Sequence, residues 1–166
     1  MPKIKLNKRA EKCEACVLGK QTRNSFKSNT PLITSKSFEL LHMDLFGPTK
    51  TLSLSRCHYD FVIVDDFSRF TWVFFLSHKS STFESFENFF NKIEHGNMNK
   101  ICSILTDHGG EFDNNLFFKF CRDKGSNHKF ASPRTPEQNG VAEQKNRTLI
   151  EMARTMLVES QLLKYF

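Results

Sequence analysis

The chain has 166 residues, a net charge of +6, five cysteines and 39% apolar residues, 18 of them Phe. That length suits one domain of ordinary size with a short appendage, and the Phe content is enough for a core. It excludes a membrane span, since apolar runs such as VFFL are far too short; the opening residues 1–5 lack the apolar stretch of a secretory signal, and an odd cysteine count without a regular framework favours free thiols in a reducing compartment.

Residues 1–30 show neither helical nor strand period and hold eight Lys/Arg against two Glu around Cys13 and Cys16. They read as a basic arm, and residues 31–37, PLITSKS, as a linker opened by a proline. Residues 40–46 form a short apolar run stopped by Gly47-Pro48, a buried strand expected to end just after Asp44. Residues 60–65 and 70–76 are β-branched and aromatic, and DFSR between them makes a hairpin. A helix follows: Ser81 and Glu84 have capping-box spacing, and Phe83, Phe86, Phe90 and Ile93 repeat at helical period.

Residues 101–106 predict another strand, with Asp107 at its end and Gly109-Gly110 breaking it. Asp113 is a candidate cap for a second helix whose apolar face is Leu116, Phe117, Phe120 and Cys121, ended by Gly125. Residues 127–131 predict a last strand. Thr135–Gln138 has capping-box spacing with Pro136 at the first helical position, but Asn139-Gly140 would then lie inside a helix. A mobile loop is therefore preferred there, with a long helix from about Val141 to near Leu163. Leu149, Met152, Ala153, Met156 and Leu157 form its apolar stripe, and Glu143 falls off that stripe. The order β, β-hairpin, α, β, α, β, α predicts an α/β fold with a mixed sheet flanked by helices.

Three carboxylates stand out: Asp44 in HMDLFGP, Asp107 in LTDHGGEF and Glu143 in NGVAEQKNR, separated by 62 and 35 residues. Acids gathered from distant segments repel one another, and a divalent cation is the usual remedy. An all-oxygen donor set favours Mg²⁺ or Mn²⁺ and suggests metal-assisted phosphoryl chemistry. Residues 1–30 and 124–166 are net basic, whereas 31–123, with nine basic and twelve acidic residues, are net acidic. Such a layout suits a metal-holding site whose flanks grip phosphates. Asp65, Asp66 and Glu111 are competing acids, the first two read as turn-makers and the third as a structural hydrogen-bonding group.

The segments CEACVLGKQ, ELLHMDLFGP, YDFVIVDDFSRFTWVFFLSHKS, ILTDHGGEF and FASPRTPEQNGVAEQKNRTLIEMARTML, in that order, resemble the integrase of copia-type retrotransposon polyproteins, in the retroviral-integrase superfamily. The resemblance implies a ribonuclease H-like fold with a five-stranded sheet, and a DDE triad mapping onto Asp44, Asp107 and Glu143. It implies two Mg²⁺ or Mn²⁺ ions, trimming of DNA 3′ ends and their joining to target DNA, and work as a homo-multimer in the nucleus. Element ends and target DNA are then the partners, and no membrane is. Lys145, Asn146 and Arg147, with Gln138 and Asn139 in the preceding loop, are the candidate nucleic-acid contacts; a plain Glu143–Arg147 ion pair is the alternative for Arg147.

The family also implies an HHCC zinc finger, of which Cys13 and Cys16 would be half. All six His lie downstream of Cys16. Two thiolates cannot close a tetrahedral Zn²⁺ site, so residues 1–30 are expected to be a finger remnant. Residues 38–166 are then the catalytic core, expected to lack its last helix. The usual family forms are DNGGEF and AERKNR, whereas this chain has His108 and Gln144. An inactive or co-opted fragment that only binds nucleic acid is the rival reading; an isolated ribonuclease H is disfavoured by HMDLFGP and NGVAEQKNR.

Overall fold

The computed structural model describes residues 34–49, 55–96, 100–131 and 136–160, and only the backbone of 136–139. The expected finger remnant with Cys13 and Cys16, and residues 31–33 of the expected linker, lie outside the described residues. Among the described residues no helix is long and apolar enough to cross a membrane.

Three strands come first: β1 (Leu40–Phe46), β2 (Tyr59–Asp65) and β3 (Thr71–Leu76). A 3-10 turn, Lys79–Ser81, leads into α1 (Thr82–Gly96), followed by β4 (Ser103–Thr106), α2 (Asn115–Lys124), β5 (Asn127–Phe130) and α3 (Pro136–Glu159). The sheet order is β3-β2-β1-β4-β5. β1–β2 and β2–β3 pair antiparallel, and β1–β4 and β4–β5 pair parallel. This is the mixed five-stranded sheet the sequence predicts.

Strand alternation gives the sheet two unlike faces. Leu41, Met43, Phe61, Ile63 and Ile104 point into the main core, where Phe86, Phe89 and Phe90 of α1 and Phe117 and Cys121 of α2 cover them. Burial pushes the Cys121 thiol up to about 11, so it is an inert packing group. The opposite face carries His42, Asp44, Val62 and Val64, and α3 packs on β1 and β2 there.

Asp65 and Asp66 close the β2–β3 turn, as read from the sequence. Asp65 accepts from the amides of Phe38 and Ser68, each at 2.9 Å. Asp66 accepts from Thr34 Oγ1 at 2.9 Å and lies 3.0 Å from His42 Nε2 and 3.2 Å from the Arg69 guanidinium. Both acids are buried and spoken for by the fold. Burial drives the His42 pKa down, and the Asp66 carboxylate opposes it.

Four expectations need correction. Asn114, not Asp113, caps α2: its Oδ1 accepts from the amides of Leu116 and Phe117, each at 3.1 Å. Its Nδ2 also donates to Glu111 O at 2.8 Å, so an amide ties both directions where a carboxylate could only accept. Leu116, assigned to the apolar face of α2, is exposed. Gly125 ends α2 as expected, at φ 67°, in the left-handed region. Asn114→Ala is expected to cost about 1 kcal/mol, read as a lowered urea midpoint with unchanged slope.

The other corrections concern α3, which begins at Pro136 rather than after Gly140. Proline is favoured at the first helical position, where its missing N–H has no partner to lose, and a single glycine costs only about 1 kcal/mol. The predicted apolar stripe is also not buried: Met152 and Met156 are 52% and 57% exposed. A 24-residue helix is about 36 Å long, whereas a 7-residue strand reaches only about 23 Å. α3 instead packs through Ala142 and Asn146, the buried positions among the described side chains of its first half.

Candidate active site

β1 carries Asp44 two residues before its end, next to α3 rather than in the main core. In the parallel pairing of β1 with β4, His42 lies opposite Leu105. Continued two places, that register brings Asp44 alongside Asp107, which directly follows β4. Buried Ala142 and Asn146 seat the first half of α3 over the same edge, and Glu143 lies between them, exposed.

The electrostatics report the convergence. The Asp44 carboxyl is raised from its ordinary 3.8 to about 6. Burial is the largest cause, and the negative charges of Asp107 and Glu143 both push the same way. Opposing them, Asn146 donates from Nδ2 to Asp44 Oδ2. Asp107 is fixed in a different manner: its Oδ1 accepts from the Gly109 amide at 3.0 Å, a local turn closed by the carboxylate itself. Among the described residues, no three His, Cys, Asp or Glu side chains already stand close enough to enclose a metal. The acids thus share one electrostatic site while remaining open in geometry.

The structure separates the predicted nucleic-acid contacts. Arg147 is exposed and Lys145 partly so, one turn and half a turn beyond Glu143. Asn146 is only 7% exposed and faces Asp44, so its side chain is an internal partner of the site rather than a surface contact. The side chains of Gln138 and Asn139 lie outside the described residues. His108, which departs from the usual family form, stacks on Phe130 with ring centroids 4.5 Å apart and planes 16° apart.

Sequence reading missed Lys79. Its Nζ stands 2.7 Å from Glu111 Oε2, and the Glu111 contact, then the charges of Tyr59 and Asp107, hold its ammonium above the usual lysine range. No spacing rule marks this residue, because its partner arrives from the far side of α1 and β4.

A β3-β2-β1-β4-β5 sheet with helices on both faces and acids at the adjacent ends of β1 and β4 is the ribonuclease H-like fold of integrase catalytic cores. The profile of the Integrase core domain family matches residues 34–136, and the chain belongs to that family. It is 34% identical over 154 residues to the retrovirus-related Pol polyprotein from transposon TNT 1-94 of Nicotiana tabacum, covering 93% of this chain and 12% of that protein. It is 30% identical, again over 93% of its length, to the Pol polyprotein from transposon RE2 of Arabidopsis thaliana, of which it spans 10%. The chain therefore spans about a tenth of these curated relatives.

Solved structures agree on the fold. The catalytic core domain of BIV integrase superposes with a TM-score of 0.52 at 17% identity, over 68% of this chain and 67% of that one. A chain of the simian T-cell lymphotropic virus intasome in complex with the PP2A regulatory subunit B56 gamma gives 0.61 at 20% identity, over 91% and 52%.

Proposed function

We propose that this chain is the catalytic core of a retrotransposon integrase, a metal-dependent polynucleotidyl transferase that trims DNA 3′ ends and joins them to target DNA. The observation that carries the reading is the Asp44 carboxyl, pushed up to about 6 partly by Asp107 and Glu143. A buried carboxyl whose proton affinity is raised by two acids from distant segments is poised for a cation, which lowers it again.

The donor set is all carboxylate, the chemistry of Mg²⁺ or Mn²⁺, and Asp44, Asp107 and Glu143 would hold those ions. When bound, a pair of such ions stabilises the attacking and leaving oxygens of an in-line phosphoryl displacement. The chain's own groups do the positioning. Asn146 fixes one oxygen of Asp44 and leaves the other directed by the strand. The Gly109 amide orients Asp107. Glu143, with a longer arm on α3, can swing towards the sheet edge, and Lys145 and Arg147 beside it suit the phosphates of a DNA backbone.

The same reading makes residues 1–30 a zinc-finger remnant, 31–37 a linker and 38–166 the core. It makes a homo-multimer on DNA, acting in the nucleus, the working form. The open spacing of the acids favours one rival, a fragment that binds nucleic acid without joining it. Incubation with labelled long-terminal-repeat ends, target DNA and Mn²⁺ separates the two. Joined product is expected, and Asp107→Asn and Glu143→Gln are each expected to lower it more than about 100-fold, beyond the cost of losing an outer partner of a metal ligand. Joining that survives either substitution sinks the proposal, and bound but never joined DNA supports the rival.

A further inference from the structure

The loop after β4 carries Asp107 and is held from beneath by a charge pair that the reaction itself does not use. Glu111 folds its carboxylate back under Gly109, with the side chain only 7% exposed. A Cβ built on Gly109 would stand 2.6 Å from both Cδ and Oε2 of Glu111 and 2.7 Å from Oε1. That carboxylate ends a flexible side chain, yet it cannot simply move aside, because Lys79 Nζ holds it at 2.7 Å. The next bonds complete the loop: Phe112 and Asp113 amides donate to Gly109 O at 2.9 and 2.8 Å, and Asn114 ties Glu111 O to the start of α2. Gly109 then points its own N–H at Asp107 Oδ1.

We propose that Glu111, locked by Lys79, is the positioning residue for Asp107: the pair fixes the Gly109 peptide and through it the direction of the Asp107 carboxylate. The inference rests on Asp107 being an active-site acid. It assigns work to two residues that touch no reacting atom. Lys79 sits at the entrance to α1, so the pair also fastens the loop to the helix that builds the main core. Asp107 is exposed and follows the last residue of its strand, and a carboxylate there has rotamer freedom that only the loop can remove. Gly109 is required for room rather than for backbone conformation, because any side chain would occupy the carboxylate's place.

The test follows the Gly109 amide by nitrogen-resolved NMR, with joining kinetics alongside. Glu111→Gln keeps the side-chain volume and removes the charge, and Lys79→Met keeps the stem and removes the ammonium. Each is expected to speed solvent exchange at Gly109 by about tenfold, the scale of losing one charge-assisted contact. The rest of β4 should remain protected. The kcat for joining is expected to fall about tenfold with KM for DNA unchanged, because only orientation at the reacting centre is lost. Lys79→Arg, which keeps a cation, is expected to restore the Gly109 protection, and Gly109→Ala to lose it from the other side. Wild-type exchange in both Glu111→Gln and Lys79→Met overturns the inference. So does uniform loss of protection along β4, the mark of a merely structural pair. If the unsubstituted chain joins no DNA, the proposed function falls, while Gly109 exchange still decides the role of the pair.

Discussion

Asp44→Asn is expected to end joining and, at the same time, to make the folded chain more stable above pH 6. The two effects have one cause. The Asp44 carboxyl is raised from 3.8 to about 6 by burial and by the charges of Asp107 and Glu143, so the folded state binds its proton more tightly than the unfolded chain does. Linkage then fixes the sign. Stability from this group is full below about pH 4 and is lost as pH rises through 6. Above that the ionised form costs the fold about 3 kcal/mol, as an order of magnitude. Asn has nearly the same shape, can still accept from Asn146, and carries no charge at any pH.

At pH 8 a gain of each 1 kcal/mol should raise the melting temperature by about 2–4 °C, and the gain should vanish near pH 4. Mg²⁺ gives a second measure of the same crowding. The unsubstituted chain is expected to melt higher as the ion is added, by mass action on a site present only in the folded state. Asp44→Asn, with a ligand gone and the repulsion already relieved, should respond far less. Equal melting temperatures for both proteins at pH 8 would falsify the electrostatic account of the site. Lost joining without any stability gain would point to a binding defect instead.

Most of the frame was legible because strand and helix periods are local. Each predicted strand lies within two residues of the observed one, and parallel β1–β4 pairing brings the two strand-end acids, Asp44 and Asp107, alongside each other. What the sequence hid depends on contacts made across the fold. The cap of α2 was assigned one residue too early, because Asp113 and Asn114 are both good caps and only the Asn114 amide can also reach back to Glu111. The start of α3 was misplaced because a Gly inside a helix looks more costly than it is beside a favourable Pro136. Periodicity marked Leu149 to Leu157 as a core stripe, yet α3 meets the sheet through Ala142 and Asn146, and a polar Asn is not what a hydrophobic pattern can find. The site acids were visible as sequence motifs. Their supports, Asn146 on Asp44 and Lys79 on Glu111, were not.

Phe86→Ala is expected to be the most destabilising single change outside the site, and its effect should reach the site before the fold is lost. Phe86 is fully buried, and its ring stacks on Phe117 at 4.9 Å and meets Phe120 at 5.6 Å and Phe90 at 5.7 Å. Truncation removes the joint between α1 and α2, at a cost of about 3–5 kcal/mol from transfer and cavity together. Against a total of about 5–15 kcal/mol for an ordinary domain, that is a large fraction. A urea titration should show the midpoint falling steeply with the slope unchanged. Phe75→Ala is the control: at 64% exposure it should stay within about 0.5 kcal/mol. The path to the site is short. Phe117 also packs on Phe112 at 5.6 Å, and Phe112 donates its amide to Gly109 O at 2.9 Å. Loosening the ring cluster therefore loosens the loop that aims Asp107, so exchange at Gly109 should quicken in Phe86→Ala at urea concentrations where the β1 and β2 amides remain protected. If those amides and Gly109 open together, the cluster and the sheet form one cooperative unit, and the core stabilises the site only by keeping the whole chain folded.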